Sequence, residues 1–231
     1  LVQGAKNHVT SALPGVKLLI VPDRLAAETA YARLKAYVND RVVFIPDKDD
    51  VLLNRKAGSD GLTGRRIEAL TRLVQNKADI AVIPAEALLQ YYPNFETFKA
   101  AHVTLMKEEE YAPEKVQNKL VSMGYTRVES ARDRGEFSLR GDVLDVYPLA
   151  SEYPIRISYF DDIVESIKYF RPETMESVKE IEHVTLSPAT DVLLSRDEAD
   201  KIIGKIKKHR TTSGGANDVI DDIIGRLELN P

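Results

Sequence analysis

Four arginines, Arg127, Arg132, Arg134 and Arg140, fall within fourteen residues of this chain. A guanidinium is a planar fork of N–H donors and grips carboxylates or phosphates with two parallel hydrogen bonds. Glu129, Asp133 and Glu136 share the segment, so its net charge is only +1. A phosphate-binding strip is expected to be more one-sided. In an ideal strand over "EFSLR" (136–140), Phe137 and Leu139 face one side and Ser138 and Arg140 the other. Gly141 then leaves the backbone beside Arg140 unobstructed, or bends the strand there. Two readings follow. The apolar side anchors the strand while Arg140 stands on the open side to recognise carboxylates of a protein partner, or the arginines pair with local acids on a solvated face.

Other candidates are weaker. "GAKNHVTSA" (4–12) places a glycine before Lys6 and Thr10, but lacks the second glycine and the Lys-Ser/Thr pair of a phosphate loop. "PDKDD" (46–50) offers carboxylates that could hold magnesium, yet without a phosphate loop it reads as a solvated strand-end loop. His8, His102, His183 and His209 have no ligand spacing and read as structural or surface residues. Neither GxSxG nor HExxH occurs. No catalytic residue, metal site or cofactor site is therefore expected.

The elements that must position these residues change character along the chain. "KLLIVPD" (17–23) reads as a strand buried on both faces, followed by a helix over 24–40 and a second strand "RVVFIPD" (41–47). A helix over 63–76 and a strand, turn and short helix over 78–90 complete a β-α-β-α-β rhythm, which predicts a parallel sheet in a three-layer α/β domain. From about residue 102, one helix (113–124, Pro113 in its first turn and Gly124 at its C-cap) precedes short strand-like runs. These predict an antiparallel meander with a tight turn at Asp161-Asp162. "SRDE" (195–198) has capping-box form and opens another helix; "TTSGGAND" (211–218) is a loop by composition. The division expected is 1–101 α/β, 102–194 an inserted α+β unit, and 195–231 a helical return to the first.

Composition excludes several classes. The formal net charge of −4 gives no general attraction to nucleic acid or an anionic membrane. There are no cysteines, so no disulfide or thiolate site. No apolar run nears the ~18–20 residues that span a bilayer and no signal peptide opens the chain, so a cytoplasmic location without membrane partners is expected. The ends, Leu1 and "GRLELNP", look like cuts from a longer protein.

"GEFSLRGDVLDVYPLASEYPIRISYFDDIVESIKYF" (135–170) resembles the interaction domain shared by the bacterial excision-repair protein UvrB and the transcription-repair coupling factors. "VTLMKEEEYAPEKVQNKLVSMGYTRVE", "TLSPATDVLL" and the α/β segment 43–90 continue the likeness. It is closer to the coupling factors. The working phosphate loop and long tyrosine-rich hairpin of UvrB have no counterpart here. The resemblance implies a degenerate helicase-like α/β domain, lacking a working phosphate loop, with an inserted UvrA-interaction domain. It implies a non-catalytic module that recruits UvrA to stalled RNA polymerase. RNA polymerase, DNA and ATP would be bound by other regions of an ATP-dependent translocase, and a distal domain would mask the UvrA surface. The family's UvrA-binding arginines map onto Arg127 and Arg140, thirteen residues apart as in the family, and a third falls on Ser138, where this sequence departs. The expected partner-binding set is Arg127, Phe137, Ser138, Arg140 and Gly141. The alternative is a nucleic-acid- or nucleotide-binding helicase-like domain of UvrB type.

Overall fold

In the computed structural model, which describes residues 3–48, 59–193, 196–209, 220–221 and 224–225, the first hundred residues build the expected parallel sheet. Strands β1 (Lys17–Val21), β2 (Val42–Phe44) and β3 (Ile80–Pro84) lie in the order β1-β3-β2. Helix α1 (Gln3–Ala12) precedes them. Helix α2 (Arg24–Val38) starts where the Asp23 side chain accepts a hydrogen bond from the Ala26 amide, satisfying one orphan donor of the first turn. Its Ala27 and Leu34 pack on Val42, Ile80 and Val82. Helix α3 (Ser59–Val74) covers the opposite face, with Ala69, Leu70 and Leu73 against Val43, Ile45, Ala81 and Ile83. The three layers match the reading of the sequence.

One strand differs from expectation. β1 is buried on one face only, and Leu18 and Ile20 remain 54% and 52% exposed. It is an edge strand of the described sheet, and α3 lies over β2 and β3, so continuous apolar sequence here does not mean two covered faces.

After α4 (Ala85–Leu88) and α5 (Phe95–Ala100), β4 (Val103–Met106) begins the second unit. Helix α6 (Pro113–Ser122) carries its proline in the first turn and ends as the glycine predicted. Gly124 has φ +85°, and its N–H and that of Tyr125 reach back to the carbonyls of Val121 and Leu120. Then come β5 (Thr126–Arg127), β6 (Glu136–Arg140), β7 (Val143–Tyr147), β8 (Ile155–Phe160), β9 (Ile163–Phe170) and β10 (Ser177–Ile181), forming a six-stranded sheet in the order β10-β9-β8-β7-β6-β5. It is the expected meander except at β5, which pairs parallel to β6 because residues 128–135 carry the chain back before β6 begins. Two-residue turns join the hairpins: Gly141-Asp142 with φ +55° at Gly141, and Asp161-Asp162 with φ +58° at Asp161.

β11 (His183–Leu186) pairs antiparallel with β4, so the two ends of the segment 103–186 lie side by side. Helix α7 (Arg196–His209) follows, with Ala199 and Ile203 buried. Ser195 and the loop 211–218 lie outside the described residues.

The two units share one core. Val116, Leu120 and Met123 pack with Phe137, Leu144, Val146, Ile157 and Ile167, and Ile67 of α3 and Phe98 of α5 join the same cluster. The joint is tight. A Cβ on Gly64 of α3 would stand 2.8 Å from the backbone oxygen of Leu149, whereas one on Gly61 would meet nothing within 4 Å. Gly64→Ala should therefore destabilise by about 1–3 kcal/mol through overpacking. Gly61→Ala, in the same helix, should be neutral or stabilise by at most ~1 kcal/mol. Urea denaturation of the two variants checks the contrast.

Candidate functional site

The hairpin β6–β7 decides where the arginines stand. The register pairs Phe137 with Val146, Ser138 with Asp145, Leu139 with Leu144 and Arg140 with Val143. Phe137 is fully buried, and Leu139 packs half-buried on the same core. Burying a side chain of this kind contributes about 1.5–3 kcal/mol. Arg140, on the opposite face at the strand end, keeps 55% of its side chain exposed. Gly141 beyond it is the left-handed turn residue that lets the strand reverse in two residues.

On Arg140's face runs a row of charged and polar side chains. Asp145 is almost wholly buried in an otherwise apolar strand. Arg156 of β8 grips it with both nitrogens, Nε to Oδ1 at 2.7 Å and Nη2 to Oδ2 at 2.8 Å, and lies over the Phe170 ring at 4.7 Å. Arg140 reaches the same carboxylate only at 3.5 Å. One carboxylate thus faces two guanidinium groups, and Arg156 holds it at the better geometry. Arg140 keeps donors for another acid.

Arg127, at the end of the edge strand β5, is exposed and makes no ion pair among the described residues. Arg127, Val128, Glu129, Leu139 and Arg140 line one open groove of about 650 Å³. A neighbouring groove of about 520 Å³ shares Arg140 and adds Ser130, Arg132, Pro172, Glu173 and Met175. One carboxylate oxygen of Glu136 accepts from the Arg132 and Asp133 amides at 3.0 and 2.9 Å, which ties it to the backbone of its own loop. Arg134 sits over the Tyr147 ring at 5.8 Å.

The structure therefore brings Arg127 and Arg140 together and corrects two of their companions. Phe137 is a core residue and has no surface to offer a partner. Ser138 is not on an open side. It is 1% exposed opposite Asp145, and its hydroxyl has no hydrogen-bond partner. An arginine there would have to displace that packing.

The remaining candidates resolve differently. Gly4 to Thr10 lies inside α1, as helix rather than as a loop with converging amides. Asp47 is not solvated: Arg24 binds it through two hydrogen bonds, which hold its carboxyl below the usual carboxylate range. Asp49 and Asp50 lie outside the described residues. His102 is half-buried, its Nδ1 at 2.9 Å from the Phe98 carbonyl and its Nε2 at 3.2 Å from Thr71, and burial lowers its pKa. Among the described residues, no cluster of three His, Cys, Asp or Glu side chains could hold a metal ion, and no helix is long and apolar enough to cross a membrane.

The sequence of the segment that carries this geometry is similar to that of known proteins. Residues 103–191, the segment containing β4 to β11, match the UvrB interaction domain. This segment is similar to that domain and lies within a mixed fold of parallel and antiparallel sheets. Over most of its length it is a relative of the transcription-repair coupling factors. It is 28% identical over 207 residues to that of Bacillus subtilis (strain 168), covering 87% of this chain and 18% of the relative. It is 32% identical over 191 residues to that of Staphylococcus haemolyticus (strain JCSC1435), covering 82% and 16%. The chain thus spans less than a fifth of the length of these curated relatives.

If Asp145 orients the arginine row, Asp145→Ala should cost about 2–3 kcal/mol, the scale of hydrogen bonds to charged groups. The loss should stay below that of a sealed ion pair, because Arg156 is 27% exposed and can turn to water. Urea denaturation measures it.

Proposed function

We propose that this chain is a non-catalytic protein-binding module that docks UvrA, as part of a coupling factor bringing excision repair to stalled RNA polymerase. The observation that supports it most is the pair of under-neutralised arginines, Arg127 and Arg140, on the rim of one groove in a UvrB interaction domain. A stiff sheet presents them, so little side-chain and backbone freedom is lost on docking. Their partners would be carboxylates on UvrA, met in bidentate fashion.

RNA polymerase, DNA and ATP would be engaged by other parts of the coupling factor, which would act as a DNA translocase, and a distal domain would cover the groove until it is needed. The first unit is read as a helicase-like domain without a working nucleotide site, into which residues 102–194 are inserted. The pairing of β4 with β11 favours the insertion, because the chain enters and leaves the unit at one place. The absence of a phosphate loop between Gln3 and Ala12 favours a fragment without cofactors or catalysis. A cytoplasmic location goes with this role.

Arg127→Ala and Arg140→Ala should leave thermal melts almost unchanged, since exposed substitutions stay within about ±0.5 kcal/mol. Each should weaken UvrA binding by about 2–5 kcal/mol if its partner carboxylate is buried on docking. Arg→Lys should restore part of the loss. Arg132→Ala and Arg134→Ala should cost less. Titration calorimetry with purified UvrA reads all of these. Unchanged affinity in a folded Arg127→Ala, Arg140→Ala double variant would place the binding surface elsewhere. The chain should also show no ATP turnover; turnover abolished by Lys6→Ala would contradict the non-catalytic reading.

A further inference from the structure

At the C-terminal end of β2, where parallel α/β sheets commonly place ligands, two cations converge on a carboxylate supplied by the chain itself. Arg66 of α3 is fully buried. It donates from Nη1 to the Pro46 carbonyl at 3.0 Å and to Gln90 Oε1 at 3.2 Å, and from Nη2 to the Tyr91 carbonyl at 2.8 Å. The Tyr92 ring lies 3.9 Å from the guanidinium carbon. Gln90 is fixed in turn by the Lys48 backbone, accepting from its N–H at 2.9 Å and donating to its carbonyl at 3.2 Å. Arg66 is thus aimed by groups besides Asp191, and Lys48 is anchored beside it through its backbone.

Asp191 enters from the opposite side. It belongs to the strap that follows β11, which is tied to the segment just after α6 by the Ala189 amide on the Met123 carbonyl at 2.8 Å and by the Tyr125 hydroxyl on the Ser187 carbonyl at 2.8 Å. Its carboxylate is 2% exposed. Oδ2 accepts from Arg66 Nε at 2.6 Å and Oδ1 meets Lys48 Nζ at 2.6 Å. This is the two-oxygen, two-cation geometry of a bound carboxylate.

We propose that Arg66 and Lys48 form an anion site specific for a planar carboxylate, that its resident ligand is Asp191, and that this occupancy latches the interaction domain to the parallel-sheet unit. Asp191 keeps external anions out of the intact chain. When the Asp191 side chain is removed, the cradle remains and accepts a small monocarboxylate. The latch is independent of any partner at Arg127 and Arg140.

Formate is the probe, because it is the group that Asp191→Ala removes. Thermal melts of Asp191→Ala should show a saturable rise of several degrees with sodium formate that sodium chloride at equal ionic strength does not give. The unaltered protein should respond equally to both salts. Asp191→Asn, which keeps the shape and loses the charge, should melt below the unaltered protein. If Asp191→Ala is folded and answers formate and chloride alike, the site is not an anion site. If Asp191→Asn melts with the unaltered protein, the carboxylate is not a latch, and this holds even where Asp191→Ala fails to fold.

Discussion

The guanidinium of Arg66 has been taken out of water, and a charge so placed is costly unless every side of it is answered. Carbonyls from the ends of two neighbouring segments, an aromatic face and the Asp191 carboxylate answer it. Those groups belong to different parts of the sequence, and Asp191 lies 125 residues from Arg66. They can be satisfied together only when the interaction domain is seated on the parallel sheet. The apolar cluster joining Ile67 and Phe98 to the meander supplies most of the driving force at this joint. The ion pair fixes which arrangement of it is allowed.

A second, smaller version of the same rule shapes the candidate partner surface. Asp145 sits in the middle of an apolar strand and must find cations; Arg156 supplies both of its close hydrogen bonds. Arg140 is left attached loosely and exposed, beside Arg127, which makes no ion pair among the described residues. Phe137 and Leu139, on the other face of the strand, hold the backbone against the core. Burial on one side and incomplete neutralisation on the other give an arginine that is placed yet still available. The proposed recognition of carboxylates rests on that arrangement, and it needs no general positive charge in a chain of net charge −4.

Much of this was legible in the sequence, for identifiable reasons. Helical spacing and turn residues are local signals, so α6 with its Pro113 and Gly124, the turn at Asp161-Asp162 and the alternation of Phe137 and Leu139 against Arg140 follow from neighbours alone. Burial of polar groups is not local. Ser138 reads as open by alternation, but the row containing Asp145 and Arg156 closes over it. Asp47 reads as solvated until Arg24, on the preceding helix, is brought against it. The exposed face of β1 is not legible in the sequence, because an apolar run does not say whether a strand is central or at an edge. Two sequence signals mark buried charges: Asp145 within an apolar run, and Arg66 at helical spacing from Leu70 and Leu73. Each marks a charge on a core-facing stripe, and such a charge requires a partner.

Hydrogen exchange on the chain, alone and saturated with UvrA, locates the docking surface without altering a residue. Binding through the groove predicts slowed exchange at residues 126–129 and 136–142, with the strand ends around 46–48 and 85–92 unchanged. Protection confined to those strand ends, with none at 126–142, would contradict it and move the interface onto the parallel-sheet unit.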